Sequence, residues 1–338
     1  MLGRYLLARA LGTILMAVAV TLPAFLIVHF VPADPVQAQL GDLASADPEL
    51  VRVFRERWGL DRPIWDQYVI FLNGLVHGNL GESIATRRPV LDDIRDYAPA
   101  TFELATAAAM LTVLVGLPLG VLAAIKRDSW IDHLARFVSL IGLSTPTFWL
   151  AFIALAVFYG GLRIAPGPGQ LDPGAIPPPR VTGLMLVDSL LIGDLETFRS
   201  ALAHLILPAS VLAATTIGLV TRTTRASMLE ALQQDYVRVA HAKGLRVRVV
   251  VLRHALRNAL IPVLTLGGLA YAQLLSGTVL TETIFSWPGL GRYAFESAVA
   301  VDFPAILGIT LVVALIYLLV NFLVDMSYAI IDPRVANR

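Results

Sequence analysis

Six long apolar segments decide what this chain can be. They cover about 10–31, 103–125, 134–160, 201–221, 259–280 and 304–328, and each supplies the roughly 20 residues a helix needs to cross a bilayer core. Only 15% of the residues are charged, against about 25% in a soluble domain. The expected fold class is therefore all-α, an integral membrane protein with six transmembrane helices. The segment Gly183–Gly193 is apolar but only about half a span, which fits an interfacial helix. Just before it, Pro166, Pro168, Pro173, Pro177, Pro178 and Pro179 forbid a helix.

The N-terminus starts as a signal peptide does, with Arg4 and Arg9 ahead of an apolar run. That run, Ala10 to about Val31, exceeds the roughly 7–15 residues of a cleavable core, and Pro32-Ala33-Asp34-Pro35 is a poor cleavage site. It reads as a retained first span. Sidedness follows from Lys and Arg. One set of loops, with both termini and both lysines, holds 15 cations against six acids; the opposite set holds 11 against 19. The positive-inside rule places the first set, and so both termini, in the cytoplasm. The chain then divides into a tail and first helix (1–31), an extracytoplasmic insert (32–98) and a five-helix core (99–338). The core carries a cytoplasmic loop (222–258) and an outer loop (161–200). Within the insert, Asp47-Pro48 and Gly59 predict a helix over about 48–58.

Several chemistries are excluded. With no cysteine there is no disulfide, thiolate metal site or cysteine nucleophile. No G-x-x-x-x-G-K-[ST] loop is present, so ATP hydrolysis by that route is out. The six histidines are scattered without metal-ligand spacing, so no metal site is expected, and no cofactor is expected on this chain. Ion-coupled carriers keep ionisable groups in mid-span. Here the span centres offer little beyond His204, Gln273 and Asn321, which with Thr145 are the candidate pore-lining residues. His204, four residues before Pro208, reads equally as a hydrogen-bonded structural histidine near the outer interface. Glu103, Glu282 and Asp325 read as lying near span ends, within reach of water. The chain has no energy source of its own; it is driven from outside or it is a passive pore.

The basic loop contains Asp235-Tyr236-Val237-Arg238-Val239-Ala240-His241-Ala242-Lys243-Gly244. Asp235 is a capping residue type, Gly244 a left-handed stop, and Lys243 a cation suited to a helix C-terminus. Tyr236, Val239 and Ala240 fall three and four apart, on one face. The pattern fits a solvated connector helix or a docking helix. Pro146 and Pro262 are candidate bend points or static kinks. Arg246, Arg253 and Arg257, at turn spacing, suit lipid phosphates or acidic groups of a protein partner.

The stretch from Asp235 to Pro262, with Arg253-His254-Ala255-Leu256-Arg257-Asn258-Ala259-Leu260-Ile261-Pro262, resembles the cytoplasmic loop of binding-protein-dependent ABC importer permeases. Within that family the chain looks like the first, B-type permease of the dipeptide/oligopeptide/nickel group. Similar landmarks are Trp58-Gly59-Leu60-Asp61-Arg62-Pro63, Gly78-Asn79-Leu80-Gly81-Glu82-Ser83 and Ser144-Thr145-Pro146-Thr147-Phe148-Trp149. Thr281 to Gly291, reading TETIFSWPGLG, and the terminal Ile331-Asp332-Pro333-Arg334 also match. The general Glu-Ala-Ala motif is replaced by Arg238-Val239-Ala240, and the following proline is more distant, both as in the peptide/nickel branch.

The resemblance implies a type I ABC importer permease fold in a bacterial or archaeal inner membrane. Asp235–Gly244 would be the coupling helix, seated in a groove of a cytoplasmic ATPase, with Tyr236 and Val239 as anchors and Arg238 and Lys243 at the rim. It also implies a homologous second permease, two ABC ATPase subunits that bind ATP and Mg, and an extracytoplasmic substrate-binding protein. Nucleic acid is not among the implied partners. Peptides are the implied substrate; nickel chelates and glutathione pass the same test. An ion-coupled secondary carrier and a receptor or assembly scaffold are the readings from other classes.

Overall fold

The computed structural model describes residues 2–30, 47–59, 61–276 and 278–331. Residues 32–46 of the insert, the terminal Asp332-Pro333-Arg334 and the Asp325 side chain, all named above, lie outside what is described. Among the described residues, the only extended pairing is one antiparallel bridge between Glu82 and Pro89. Everything else regular is helix. The helices are α1 (Leu2–Phe30), α2 (Pro48–Trp58), α3 (Ile64–Val76), α4 (Val90–Ile125), α5 (Trp130–Ser144), α6 (Thr147–Gly161) and α7 (Met185–Leu191). They continue as α8 (Leu195–Leu232), α9 (Asp235–Ala242), α10 (Val247–Leu275), α11 (Val279–Ile284), α12 (Leu290–Val299) and α13 (Phe303–Ile331).

Four of these, α4, α8, α10 and the Phe303–Val324 part of α13, are each long and apolar enough to cross a membrane. The sequence segment 134–160 is one apolar run, but the structure breaks it into α5 and α6, bent by 105°. The break has a local cause. Pro146 has no N–H to give, and it forces Thr145 into extended backbone, φ −93° and ψ 126°. Taken as one span, the bent pair is a fifth crossing. Helix α1 adds a shorter apolar stretch, Ala10–Leu26.

Helix α8, 38 residues long, is the axis of the bundle. Lipid gives helices no hydrophobic reason to associate, so they must approach closely enough to gain dispersion contacts. Small residues allow this between α5 and α8. A Cβ on Gly218 would sit 2.8 Å from the Ser139 carbonyl oxygen, and one on Gly142 would overlap the Ala214 carbonyl. A core of Ala100, Leu104, Ala105 and Ala108 from α4 meets Leu205, Ala209, Leu212 and Ala213 from α8, and Trp287 closes it at the end that carries the insert.

The insert is anchored rather than free-standing. Asp47 accepts from the Glu49 N–H, Pro48 opens α2, and Gly59 ends it at φ 64°, as the sequence predicts. Helix α3 lies on α1, where Phe25 packs between Tyr68 and Phe71 with ring centroids 5.2 and 5.9 Å away. The expected short helix within Gly183–Gly193 is α7.

Candidate functional site

Only Gln233 and Gln234 separate α8 from α9, so the basic loop turns sharply. Gln234, in extended backbone, is the residue before the helix. Asp235 is therefore not the cap: it is the first helical residue, its carboxylate 3.5 Å from Arg238 Nη1. An acid still suits this helix start through the dipole. At the other end Gly244 takes φ 74°, and the Leu245 N–H returns to the Ala240 carbonyl.

The apolar residues of α9 divide between two faces, where the sequence pattern suggested one. Val237 and Ala240 are buried. They pack on Val121 and Ala124 of α4, Met228 and Ala231 of α8, and Val250, Val251 and Ala255 of α10. Tyr236 and Val239 remain 39% and 52% exposed. Arg238, His241, Ala242 and Lys243 are also exposed. The helix thus grips three spans with one face and offers a tyrosine and a valine with the other. Near the same end of α8, the fully buried Asp132 at the start of α5 accepts from Arg225 Nε and Nη2 on α8, at 2.5 and 2.8 Å, and from Arg136 Nη2 at 2.7 Å.

A cavity of about 410 Å³ lies between α4, α8, α10 and α13. Its few polar groups are Thr112, Thr216 and Tyr271; the first two share a 2.6 Å hydrogen bond, and Tyr271 pairs with Thr106 at 3.0 Å. None of the four candidate pore residues lines this cavity. Thr145 returns its hydroxyl to the Ile141 carbonyl at the α5–α6 break. His204 is buried, donates Nδ1–H to the Ser200 carbonyl, and has Nε2 3.9 Å from Asp172. Gln273 is exposed on α10. Asn321 Oδ1 is buried on α13 without a hydrogen-bond partner among the described residues. Pro146 stands at the 105° bend, whereas α10 runs on through Pro262. Thr112, Thr216 and Tyr271 lie among apolar residues of their helices, and no sequence signal marks them as lining a common cavity.

At the insert end, α4 is a hub for short elements. Helix α4 begins at Val90, well before the apolar segment, so Glu103 lies in mid-helix; it is buried and accepts from the Leu186 N–H of α7. Glu282 is fully buried on α11 and accepts from Thr101 Oγ1, Thr278 Oγ1 and the Arg292 N–H, at 2.7, 2.7 and 3.0 Å. Both carboxylates are buried by chain folded over them, contrary to the expectation from span ends. The TETIFSWPGLG stretch folds α11 and α12 around the Glu282 carboxyl so tightly that a Cβ on Gly289 would lie 2.5 Å from its Cδ. Burial pushes the Glu282 carboxyl above its ordinary value, a cost that its donors only partly offset. At Asp188 on α7 the balance is reversed. Burial opposes the charge, but the Thr182 hydroxyl and the N–H groups of Thr182, Gly183 and Val181 outweigh it and hold the carboxyl below its ordinary range.

Pro99 supplies one further link. Its missing N–H frees the Arg95 carbonyl one turn earlier, and Arg180 of the proline-rich loop donates to that carbonyl while pairing with Asp96. Asp93 accepts from Thr86 and from Tyr293 of α12, and Asp302 accepts from Ser83. The Gly81–Pro89 stretch, the proline-rich loop and α11–α12 are all fastened to α4 or to the start of α13.

Comparison with known proteins agrees with this architecture. Residues 116–337 match the family described as binding-protein-dependent transport system inner membrane component, and residues 1–105 match its N-terminal membrane component. A probable D,D-dipeptide transport system permease of Escherichia coli K12 is 47% identical, covering 97% of this chain and 96% of its own. The di/tripeptide transport system permease of Pseudomonas aeruginosa is 43% identical and the dipeptide transport system permease of Escherichia coli K12 is 40% identical, each over 98% of both chains. The chain belongs to the family of binding-protein-dependent transport system inner membrane components.

Proposed function

We propose that this chain is the permease subunit of an ATP-driven importer of dipeptides and short oligopeptides. The observation that carries the substrate class is near full-length similarity to peptide permeases, 40% to 47% identical. In this reading six spans cross the inner membrane with both termini in the cytoplasm, supported by the division of cations and acids between the two sets of loops. The pathway forms between this chain and a homologous second permease. Peptides arrive from an extracytoplasmic binding protein, and ATP and Mg are held by two partner ATPase subunits.

Helix α9 is the coupling helix. Its support is a division of labour: Val237 and Ala240 seat it on α4, α8 and α10, while Tyr236 and Val239 stay exposed for a partner groove. Displacement of α9 by a closing ATPase pair would load three spans at once. The test compares Tyr236→Ala and Gly244→Val with Arg222→Ala, all expressed with the partner subunits. Truncating an aromatic anchor costs about 2 kcal/mol or more of association, and a β-branched residue strains the left-handed Gly244 position. Both α9 variants should insert normally yet lose ATPase co-purification and peptide uptake, with Arg222→Ala near wild type. Normal assembly and uptake in both would leave α9 a solvated connector.

A further inference from the structure

The loop that presents α9 carries more positive charge than the chain neutralises. Residues 222–258 contain eight Lys and Arg residues and two acids, Glu230 and Asp235. Arg225 is held by Asp132, and Arg238 lies near Asp235. Arg246, Arg248, Arg253 and Arg257 are exposed, and none has an ion pair among the described residues. All four fall at the start of α10: Arg246 just before it, Arg248 in its first turn, and Arg253 and Arg257 four residues apart on one face.

The length of α10 fixes where they sit. Its 29 residues span about 43 Å at 1.5 Å per residue. The hydrocarbon core takes about 30 Å, and the headgroup layers extend it to about 40–45 Å. The part of α10 without charged residues, 258–275, is about 27 Å long, close to the core thickness. Arg246, Arg248, Arg253 and Arg257 therefore all precede the stretch that fills the core and lie toward the headgroups. The side chains between the arginines agree: Val247, Val249 and Leu252 are 59%, 37% and 48% exposed. Cations alternating with exposed aliphatics suit the boundary between phosphates and acyl chains. The core of a protein interface is depleted of charge, and no acid breaks this run to match a partner's cations.

We infer that Arg246, Arg248, Arg253 and Arg257 bind the phosphates of anionic phospholipids in the cytoplasmic leaflet and so fix the depth of α9. The leaflet rests on the sidedness proposed above. Each guanidinium can donate two parallel bonds to a phosphate. The mechanical link is short, because Val250, Val251 and Ala255 on the same turns of α10 form the floor under Val237 and Ala240.

The test uses the whole complex, with its partner subunits, in nanodiscs of phosphatidylcholine alone or with phosphatidylglycerol added. Lipid retained after exchange is measured by mass spectrometry beside ATPase activity stimulated by liganded binding protein. The wild type should retain phosphatidylglycerol selectively. Arg253→Gln with Arg257→Gln should lower that retention about five-fold per charge removed, while the Lys pair keeps most of it. Stimulated activity of the Gln pair in phosphatidylglycerol should fall toward the phosphatidylcholine level. Wild-type retention by the Gln pair would overturn the inference. So would loss of the ATPase subunits to the same extent in both lipids, which would assign the arginines to a protein contact. Labelling of Arg248→Cys by an impermeant maleimide in intact cells would overturn the leaflet and the sidedness together, whatever the lipid retention.

Discussion

Thr101→Val isolates the contact that fastens α11 and α12 to α4. The Thr101 hydroxyl donates to Glu282 Oε1 and accepts from the Leu290 N–H, each at 2.7 Å. Valine keeps the shape and removes both bonds. Losing a hydrogen bond to a charged group costs about 1.5–3 kcal/mol, and a stranded buried N–H costs about 1–3 kcal/mol. Thr101 is 2% exposed and Glu282 0%, so water cannot replace the hydroxyl. Glu282 keeps Thr278 and the Arg292 N–H, which puts the total near 3 kcal/mol rather than at the top of the range. At about 2 cal/mol/K of unfolding entropy per residue, that lowers the apparent Tm by about 4 °C.

The deficit should depend on pH, with a definite sign. The folded state raises the Glu282 pKa from 4.5. Its contribution to stability is therefore fully present below that ordinary value and is lost as pH rises through the raised folded value. Thr101 stabilises the charged form. Removing it penalises the carboxylate, so the variant should lose more at about pH 8 than at about pH 5, and Glu282→Gln should flatten the dependence. Thermal unfolding of the purified complex followed by tryptophan fluorescence reads this directly, since Trp287 donates its indole N–H to the neighbouring Ala100 carbonyl. Wild-type melting of Thr101→Val at both pH values would refute the fastening. An equal loss at both would remove Glu282 as the responsive group.

Three further outcomes are expected. Single cysteines in place of Ile176, which is 83% exposed, and Arg127 should label oppositely with an impermeant maleimide: Ile176→Cys in intact cells, Arg127→Cys only after permeabilisation. Labelling of both from the same side would overturn the proposed topology. Asp132→Asn should destabilise the complex by about 3 kcal/mol, the low end for breaking a buried ion pair because Arg225 and Arg136 keep some water. Detergent-induced unfolding measures this, and an Arg225→Gln double-mutant cycle should show strong coupling. Gly142→Val should force α5 away from the Ala214 carbonyl on α8 and lower the yield of assembled complex; an unchanged yield and melting curve would mean the helices do not need that approach.

The features legible in the sequence are those whose causes are local. Helix α2 can be placed to the residue because Asp47, Pro48 and Gly59 each act within one turn of themselves. The stop at Gly244 is readable for the same reason. The bend at Pro146 also has a local cause and is legible as a candidate bend point, but its 105° is not written in the apolar length of 134–160. Glu103 and Glu282 are misread because a linear pattern measures distance from a span end along the chain, and water access depends on what folds back over that end. Here α7 covers Glu103 and the α11–α12 turn covers Glu282, and neither helix carries a periodic signal long enough to reveal its position. Helix α9 shows the same limit on a smaller scale. Its apolar residues are plain in the sequence, but which pair faces inward was settled by Met228, Val250 and Val251, residues contributed by two other helices. The functional content of α9 lies in that choice, because the pair left outside, Tyr236 and Val239, is what remains for a partner to hold.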